Sequence, residues 1–228
     1  MKKIHYNGFE LEHFDSASNF RKYQVSLISK YIKGNFAEVG AGKGGLVPYY
    51  QKFLKNIILL EPEKKLFKIL KKKFTSKKIK IKNFTIDKLK NNYDTIIYYD
   101  VLEHIKKDLE EVKIASKKLK KNGCLIISVP AYQAFYSEFD KSVGHHKRYN
   151  KKDFINIENK TKLNIEKLVY YDSVGFSFLV LNKIFSLKQT NLKKKIFLWN
   201  LLIPVSKLID FLTFNMFGKS LLCVFRKY

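Results

Sequence analysis

The sequence predicts a doubly wound α/β fold, a parallel sheet with helices on both faces, and three observations predict it. First, the short apolar runs Asn56-Ile57-Ile58-Leu59-Leu60, Tyr93 to Tyr99 and Cys124 to Pro130 read as strands covered on both sides. Second, amphipathic, lysine-loaded segments alternate with these runs, as crossover helices alternate with parallel strands. Third, an apolar strand at 36–39 runs into the glycine-rich turn Gly40-Ala41-Gly42-Lys43-Gly44-Gly45. Glycine has no Cβ and tolerates positive φ, so such a turn bends sharply and lets backbone approach a ligand.

The elements follow in order. Phe20, Tyr23, Val25, Leu27, Ile28, Tyr31 and Ile32 recur at roughly helical spacing before Gly34, so residues 1–34 are expected to form a helical lid over one end of the ligand site. A helix is expected from about Gly44 to Leu54. The second strand ends in Glu61-Pro62, a lysine-rich helix follows to about residue 76, and a third strand spans Ile79 to Thr85 with Asp87 just beyond it. The fourth strand enters Asp100-Val101-Leu102-Glu103-His104-Ile105. A helix over Leu109 to Leu119 and a turn at Asn122-Gly123 lead into the fifth strand. Beyond it a short helix at 151–160, a sixth strand at Leu163 to Tyr171 and a seventh at Lys219 to Phe225 complete the pattern.

The glycine turn alone fits both the dinucleotide pattern G-x-G-x-x-G and the nucleoside pattern [DE]-x-G-x-G-x-G, and Glu38 separates the two. A carboxylate two residues before the first glycine repels a pyrophosphate at the following helix N-terminus and attracts a cation. S-adenosylmethionine carries an ammonium and a sulfonium and has no phosphate. At the tip of the neighbouring strand, Glu61 can accept hydrogen bonds from both ribose hydroxyls. Asp87 stands where an adenine amino group would lie, and an Asp capping its own turn is the alternative.

The combination AEVGAGKGGL, ILLEP, an Asp after the third strand, YYDVLEHI and LIISVP resembles the class I S-adenosylmethionine-dependent methyltransferases, in the branch that includes ubiquinone-biosynthesis and sugar methyltransferases. The segment from Val129-Pro130-Ala131 through Asp140 to Gly144-His145-His146-Lys147-Arg148-Tyr149 further resembles bacterial enzymes of surface-glycan assembly. The resemblance implies a Rossmann-like, seven-stranded sheet whose last strand is antiparallel. It implies that Glu38 holds the methionine end of the cofactor, that Gly40, Ala41, Gly42 and Gly44 line it, and that Glu61 with Pro62 takes the ribose. Ile86 and Asp87 would flank the adenine, with Asp100, Val101 and Leu102 completing the cofactor site. Lys43 departs from the pattern, standing where relatives carry a small or apolar residue, and is expected to point to solvent.

Methyl transfer needs a nucleophile in line with sulfur and, for a hydroxyl, a base. Residues at the carboxyl ends of strands 4 and 5 surround the methyl group in this fold, which nominates Leu102, His104, Tyr132 and the loop at 140–149 within a substrate segment at 131–150. His145 is the first candidate base because imidazole titrates near neutrality, with His146 and His104 next. Any of the three could instead hydrogen-bond a backbone carbonyl. Arg148 could hold a carboxylate or phosphate of the substrate or pair with Asp140 inside the loop. Asp140, His145 and His146 lack a further acid to complete a metal set, so no metal is expected.

A chain of 228 residues suits one α/β domain with residues 35–130 as its cofactor-binding core. No apolar leader follows the Met-Lys-Lys start, which predicts a cytoplasmic protein. Cys124 and Cys223 are too few for a disulfide framework and read as small buried residues. The formal charge is +25, yet only Arg21, Arg148 and Arg226 among 45 basic residues are arginine, a balance that argues against nucleic acid as partner. Attraction to anionic lipid and salt-sensitive RNA binding stay as alternatives.

Residues 173–217 form an insert rich in Phe, Leu and Ile, split at Lys188 to Lys195 and interrupted by Pro204, Lys207 and Asp210, too short in either half to span a bilayer. It could cap an apolar substrate pocket, rest on a membrane or face a second subunit of a homodimer. The functional expectation is methylation of oxygen or nitrogen on a small molecule, a saccharide or glycolipid precursor such as a lipid-linked sugar. RNA methylation and a membrane-peripheral scaffold without turnover are the rivals.

Overall fold

The computed structural model describes residues 16–90, 92–185 and 192–228. Its strands are β1 (Asn35–Val39), β2 (Asn56–Leu60), β3 (Ile79–Lys82), β4 (Tyr93–Tyr99), β5 (Leu119–Pro130), β6 (Leu163–Tyr171) and β7 (Ser220–Lys227). They form one sheet in the order β3-β2-β1-β4-β5-β7-β6. Only β7 runs against its neighbours, antiparallel to both β5 and β6, as expected of the last strand. The order reverses between β1 and β4, and a doubly wound sheet binds its ligand beyond the carboxyl ends of the strands at that reversal.

Alternation along the strands feeds two cores, one on each face of the sheet. On β5, Cys124 and Ile126 join the cluster containing Phe36, Tyr50 and Leu59, while Leu125, Ile127 and Val129 join the one containing Tyr98, Tyr149 and Phe225. Both cysteines are free and buried. Around the sheet lie α1 (Ser18–Ile28), α2 (Val47–Tyr50), α3 (Lys64–Lys73), α4 (Asp108–Lys118), α5 (Glu138–Ser142), α6 (Lys151–Asn159), α7 (Ser173–Phe185), α8 (Leu192–Leu201) and α9 (Ile203–Leu212).

Two expectations need correction. The helix after the glycine turn does not run from Gly44 to Leu54 but is a single turn, α2, followed by a 3-10 turn at Gln51–Phe53. Positive φ persists through Gly44, and Pro48 in the first turn fixes the start, so helix begins only at Val47. The third strand stops at Lys82, three residues early, because Asn83 turns its amide back to the carbonyls of Glu61 and Pro62. Residues 1–15 of the N-terminal lid and 188–191 of the lysine-rich separator lie outside the described residues. Among the described residues, no helix is long and apolar enough to cross a membrane.

Candidate functional site

At the β1 tip the glycine turn carries three positive φ angles, +67° at Gly40, +55° at Gly42 and +71° at Gly44. A Cβ on Gly40 would lie 2.7 Å from Val101 Cγ2, so the bare α-carbon lets the segment after β4 close against the turn. Ala41 donates its N–H to Leu60 O at 3.0 Å, tying the turn to β2. Glu38 is buried and accepts the Tyr50 hydroxyl, while burial and the Glu38 charge push the Tyr50 phenol well above its usual range. Lys43, expected in solvent, is half-buried.

Glu61 is buried at the β2 tip, and its carboxylate accepts the Gly42 N–H at 2.8 Å and the Glu63 N–H at 2.9 Å. Burial raises this carboxyl to about 7, against the lowering effect of the two backbone donors. Pro62 follows, half-exposed. Ile86 is fully buried with its side chain in the core, and the exposed Asp87 accepts the Thr85 hydroxyl, while the 3-10 turn at Ile86–Lys88 has no side-chain cap.

Three strands end on a residue with left-handed backbone: Asp100 after β4, Tyr132 after β5 and Asp172 after β6, at φ of +54°, +62° and +69°. Strain of this kind is held by its surroundings and clusters at functional edges. Asp100 is open to solvent yet ringed by protein, as a group on the floor of a cleft is. Its enclosure pushes the carboxyl up, and Arg21, Lys219 and His145 offset that. Leu102 is fully buried beside it.

The 131–150 segment folds back along β5, where Tyr149 and Tyr132 exchange backbone hydrogen bonds with the strand end (Tyr132 N to Tyr149 O 2.8 Å, Tyr149 N to Pro130 O 2.9 Å). This return sets His145 against the β4 tip. His145 Nδ1 lies 2.8 Å from Asp140 Oδ1, and His145 Nε2 lies 3.8 Å from Glu103 Oε1. With Nδ1–H donated to Asp140, Nε2 carries the lone pair, the tautomer a base requires. Asp140 is fully buried. Desolvation raises its carboxyl, but the hydrogen bonds from His145 and Arg148 win and hold it well below the usual range. Arg148, itself buried, gives Nε–H to Asp140 at 2.9 Å, so the within-loop pairing considered for it is the one formed.

The other histidines separate. His104 packs edge-on to His145 at 4.7 Å between ring centroids, with Nδ1 3.3 Å from Gly144 O. Burial, then the neighbouring His145, lowers its imidazole to about 4, so it is neutral at physiological pH. His146 is exposed, and its backbone N–H bonds Glu103 O. Sequence reasoning passed over Glu103, which is 1% exposed with neither carboxyl oxygen hydrogen-bonded among the described residues. Burial and the nearby Asp100 charge push it well above the usual range. Glu103, His104 and His145 each offer one ligand atom within 4.8 Å of the others, a group that shares only His145 with the set weighed from the sequence. Lys219 stands among Asp172, Asp100, Asp140 and Arg148 with its ammonium 4.2 Å from the Trp199 ring. Nothing in a lysine-rich sequence singles it out.

Residues 20–168 match the family described as "Methyltransferase domain". The chain belongs to that family. No curated protein matches the sequence significantly. Among solved structures, the partner of the Haloferax volcanii Trm112 methyltransferase activator superposes with TM-score 0.68 at 9% identity, covering 98% of each chain. A SAM-dependent methyltransferase from Archaeoglobus fulgidus gives 0.62 at 15%, covering 96% of this chain and 98% of the other. Magnesium protoporphyrin IX methyltransferase from Synechocystis PCC 6803, solved with SAH, gives 0.58 at 12%, covering 95% and 84%. At these identities the likeness establishes the fold.

The residues at the strand tips fit S-adenosylmethionine, the cofactor expected from the sequence. Glu38, Glu61 and Asp100 put three carboxylates around the glycine turn, a setting hostile to a pyrophosphate and favourable to a sulfonium.

Proposed function

We propose that the methyltransferase modifies a hydroxyl of a saccharide or glycolipid precursor, with His145 as the base. The observation that carries the reading is the Asp140–His145 pair at the carboxyl edge of the sheet, 2.8 Å apart, next to the strained tips of β4 and β5. Bound S-adenosylmethionine supplies a methyl group on positively charged sulfur, open to in-line displacement. His145 Nε2 takes the proton from the acceptor hydroxyl as the new O–CH3 bond forms. Asp140 keeps the imidazole in the required tautomer and stabilises the imidazolium, and Arg148 holds Asp140 ionised. An amine acceptor needs a base only to remove its proton, and the same imidazole serves. Glu38, Gly40, Ala41, Gly42, Gly44, Glu61, Pro62 and Asp87 are the cofactor contacts in this reading, with Asp100 and Val101 near the methyl group, while the buried Ile86 and Leu102 pack behind them.

The acceptor class is supported by the resemblance of the 129–149 segment to glycan-assembly enzymes and by the apolar insert beside the site, which suits a lipid-linked sugar. Labelled S-adenosylmethionine incubated with lipid-linked and nucleotide-linked sugars tests it. Transfer to a sugar that falls by a factor of 100 or more, on the order expected for loss of a positioned base, in His145→Ala is the expected result. Transfer to RNA alone, rising as salt is lowered, would replace the acceptor.

A further inference from the structure

Helix α9 sits in the fold with its polar side inward. Its buried positions are Ile203, Ser206 and Asp210, spaced three and four residues apart on one face. Asp210 is fully buried and accepts the Tyr23 hydroxyl at 2.7 Å and the backbone N–H groups of Asp172 and Ser173 at 2.7 and 3.0 Å. Ser206 meets Asp172 and the Val174 N–H. These bonds fix the rotation of the helix about its axis, and the opposite face is therefore held outward. That face carries Leu208, Phe211 and Leu212, which are 58%, 73% and 64% exposed. On the neighbouring α8, Phe197 and Leu201 are 71% and 60% exposed, and Phe214 beyond α9 is 85% exposed.

An apolar stripe normally turns toward the core, and an outward one this large marks a surface that meets an apolar phase. Helices with one apolar face and lysines along the border lie flat in the headgroup region of a bilayer. The exposed Lys194, Lys195 and Lys207 provide that border. Charge selects the occupant. A second copy of this chain, with its own net charge of +25 over the whole molecule, is repelled, whereas an anionic bilayer attracts the lysines, each one near such a surface contributing about 1 kcal/mol.

We infer that α8, α9 and the segment through Phe214 form a docking surface for an anionic lipid bilayer, which holds the enzyme at the membrane without crossing it. The inference goes beyond the proposed acceptor and does not need it to be right. Flotation of the full chain with phosphatidylcholine vesicles, with and without phosphatidylglycerol, tests it. The chain should float with the anionic vesicles and remain behind with the neutral ones. The variant Leu208→Asp/Phe211→Asp should lose at least tenfold in partitioning while keeping its melting temperature and its affinity for S-adenosylmethionine by calorimetry. Lys194→Glu/Lys195→Glu should weaken partitioning too, in a salt-dependent way.

Equal flotation of the wild type and Leu208→Asp/Phe211→Asp overturns the inference. So does sedimentation as a dimer that this variant converts to monomer, because the face would then join two copies. A chain shortened by residues 1–15 that floats while the full chain does not would show the face covered by its own N-terminus, and also overturns it. Loss of cofactor binding in the wild type would instead strike the enzymatic reading and leave the flotation result standing.

Discussion

Replacing Glu61 by Gln should abolish a pH dependence of cofactor binding that the wild-type enzyme shows across neutrality. Burial raises the Glu61 carboxyl from its ordinary 4.5 to about 7, and the Gly42 and Glu63 N–H groups already occupy one lone pair on each oxygen. The remaining lone pairs suit two ribose hydroxyls, and the ionised form offers both while the protonated form gives one up. Binding therefore lowers the Glu61 pKa. Affinity is fully present above about pH 7 and falls below it, by up to tenfold or about 1.4 kcal/mol per pH unit.

For folding of the free enzyme the sign is opposite. Here the folded-state pKa is the raised one, so the contribution to stability is complete below about 4.5 and is lost as pH rises through about 7, with a ceiling of about 3 kcal/mol. Glu61→Gln, which cannot ionise, should thus be more stable than wild type at about pH 8 and yet bind cofactor more weakly by about 1 to 3 kcal/mol. Titration calorimetry in two buffers of different ionisation enthalpy reads the proton released on binding, and denaturant unfolding against pH reads the stability. A wild-type affinity that is flat through neutrality, or equal affinities for wild type and variant, would refute the reasoning.

Four other changes probe the rest of the site. His145→Ala should lower kcat by about 100-fold or more with little change in cofactor affinity, measured by single-turnover methyl transfer and calorimetry. Asp140→Ala leaves Arg148 buried without its carboxylate partner and removes the Asp140 half of the capping box of α5, so thermal unfolding should report a loss of about 3 to 5 kcal/mol. Gly40→Ala forces a methyl into Val101 at a φ of +67° and should reduce cofactor binding below detection in calorimetry. Asp210→Ala strands three donors and should destabilise the enzyme by about 3 kcal/mol in denaturant unfolding.

What the sequence made legible is what a local pattern can encode. The buried parallel strands show because their apolar runs need no knowledge of what packs on them, and β2 was located to the residue. The glycine turn shows because its backbone angles restrict which residues serve. The shortness of α2 was hidden, since helical periodicity continues through residues that the turn and Pro48 hold out of helix. Arg148 was noticed for its rarity, but its partner depends on the loop returning along β5. Glu103 stood in plain view inside the motif shared with His104. Its significance comes from distance, because only the fold brings a solvent-inaccessible carboxyl within 3.8 Å of an imidazole 42 residues later in the chain. Lys219 was invisible for the opposite reason, one lysine among many.

The insert and the catalytic edge share residues, which ties substrate access to the insert's position. Asp172, the strained residue after β6, accepts the Trp199 indole N–H at 3.0 Å and the Gly175 N–H at 2.9 Å, while its own N–H binds Asp210. The Trp199 ring in turn lies under the Lys219 ammonium, whose charge is felt by Asp100 at the cleft floor. The path from α8 to the β4 tip is thus a chain of buried polar contacts and one cation–π contact. A displacement of α8 would break the Trp199–Asp172 bond and the cation–π contact with Lys219, two of the links on that path. A surface that loads α8 and α9, as the proposed bilayer would, presses on the same buried contacts that lead to Asp100.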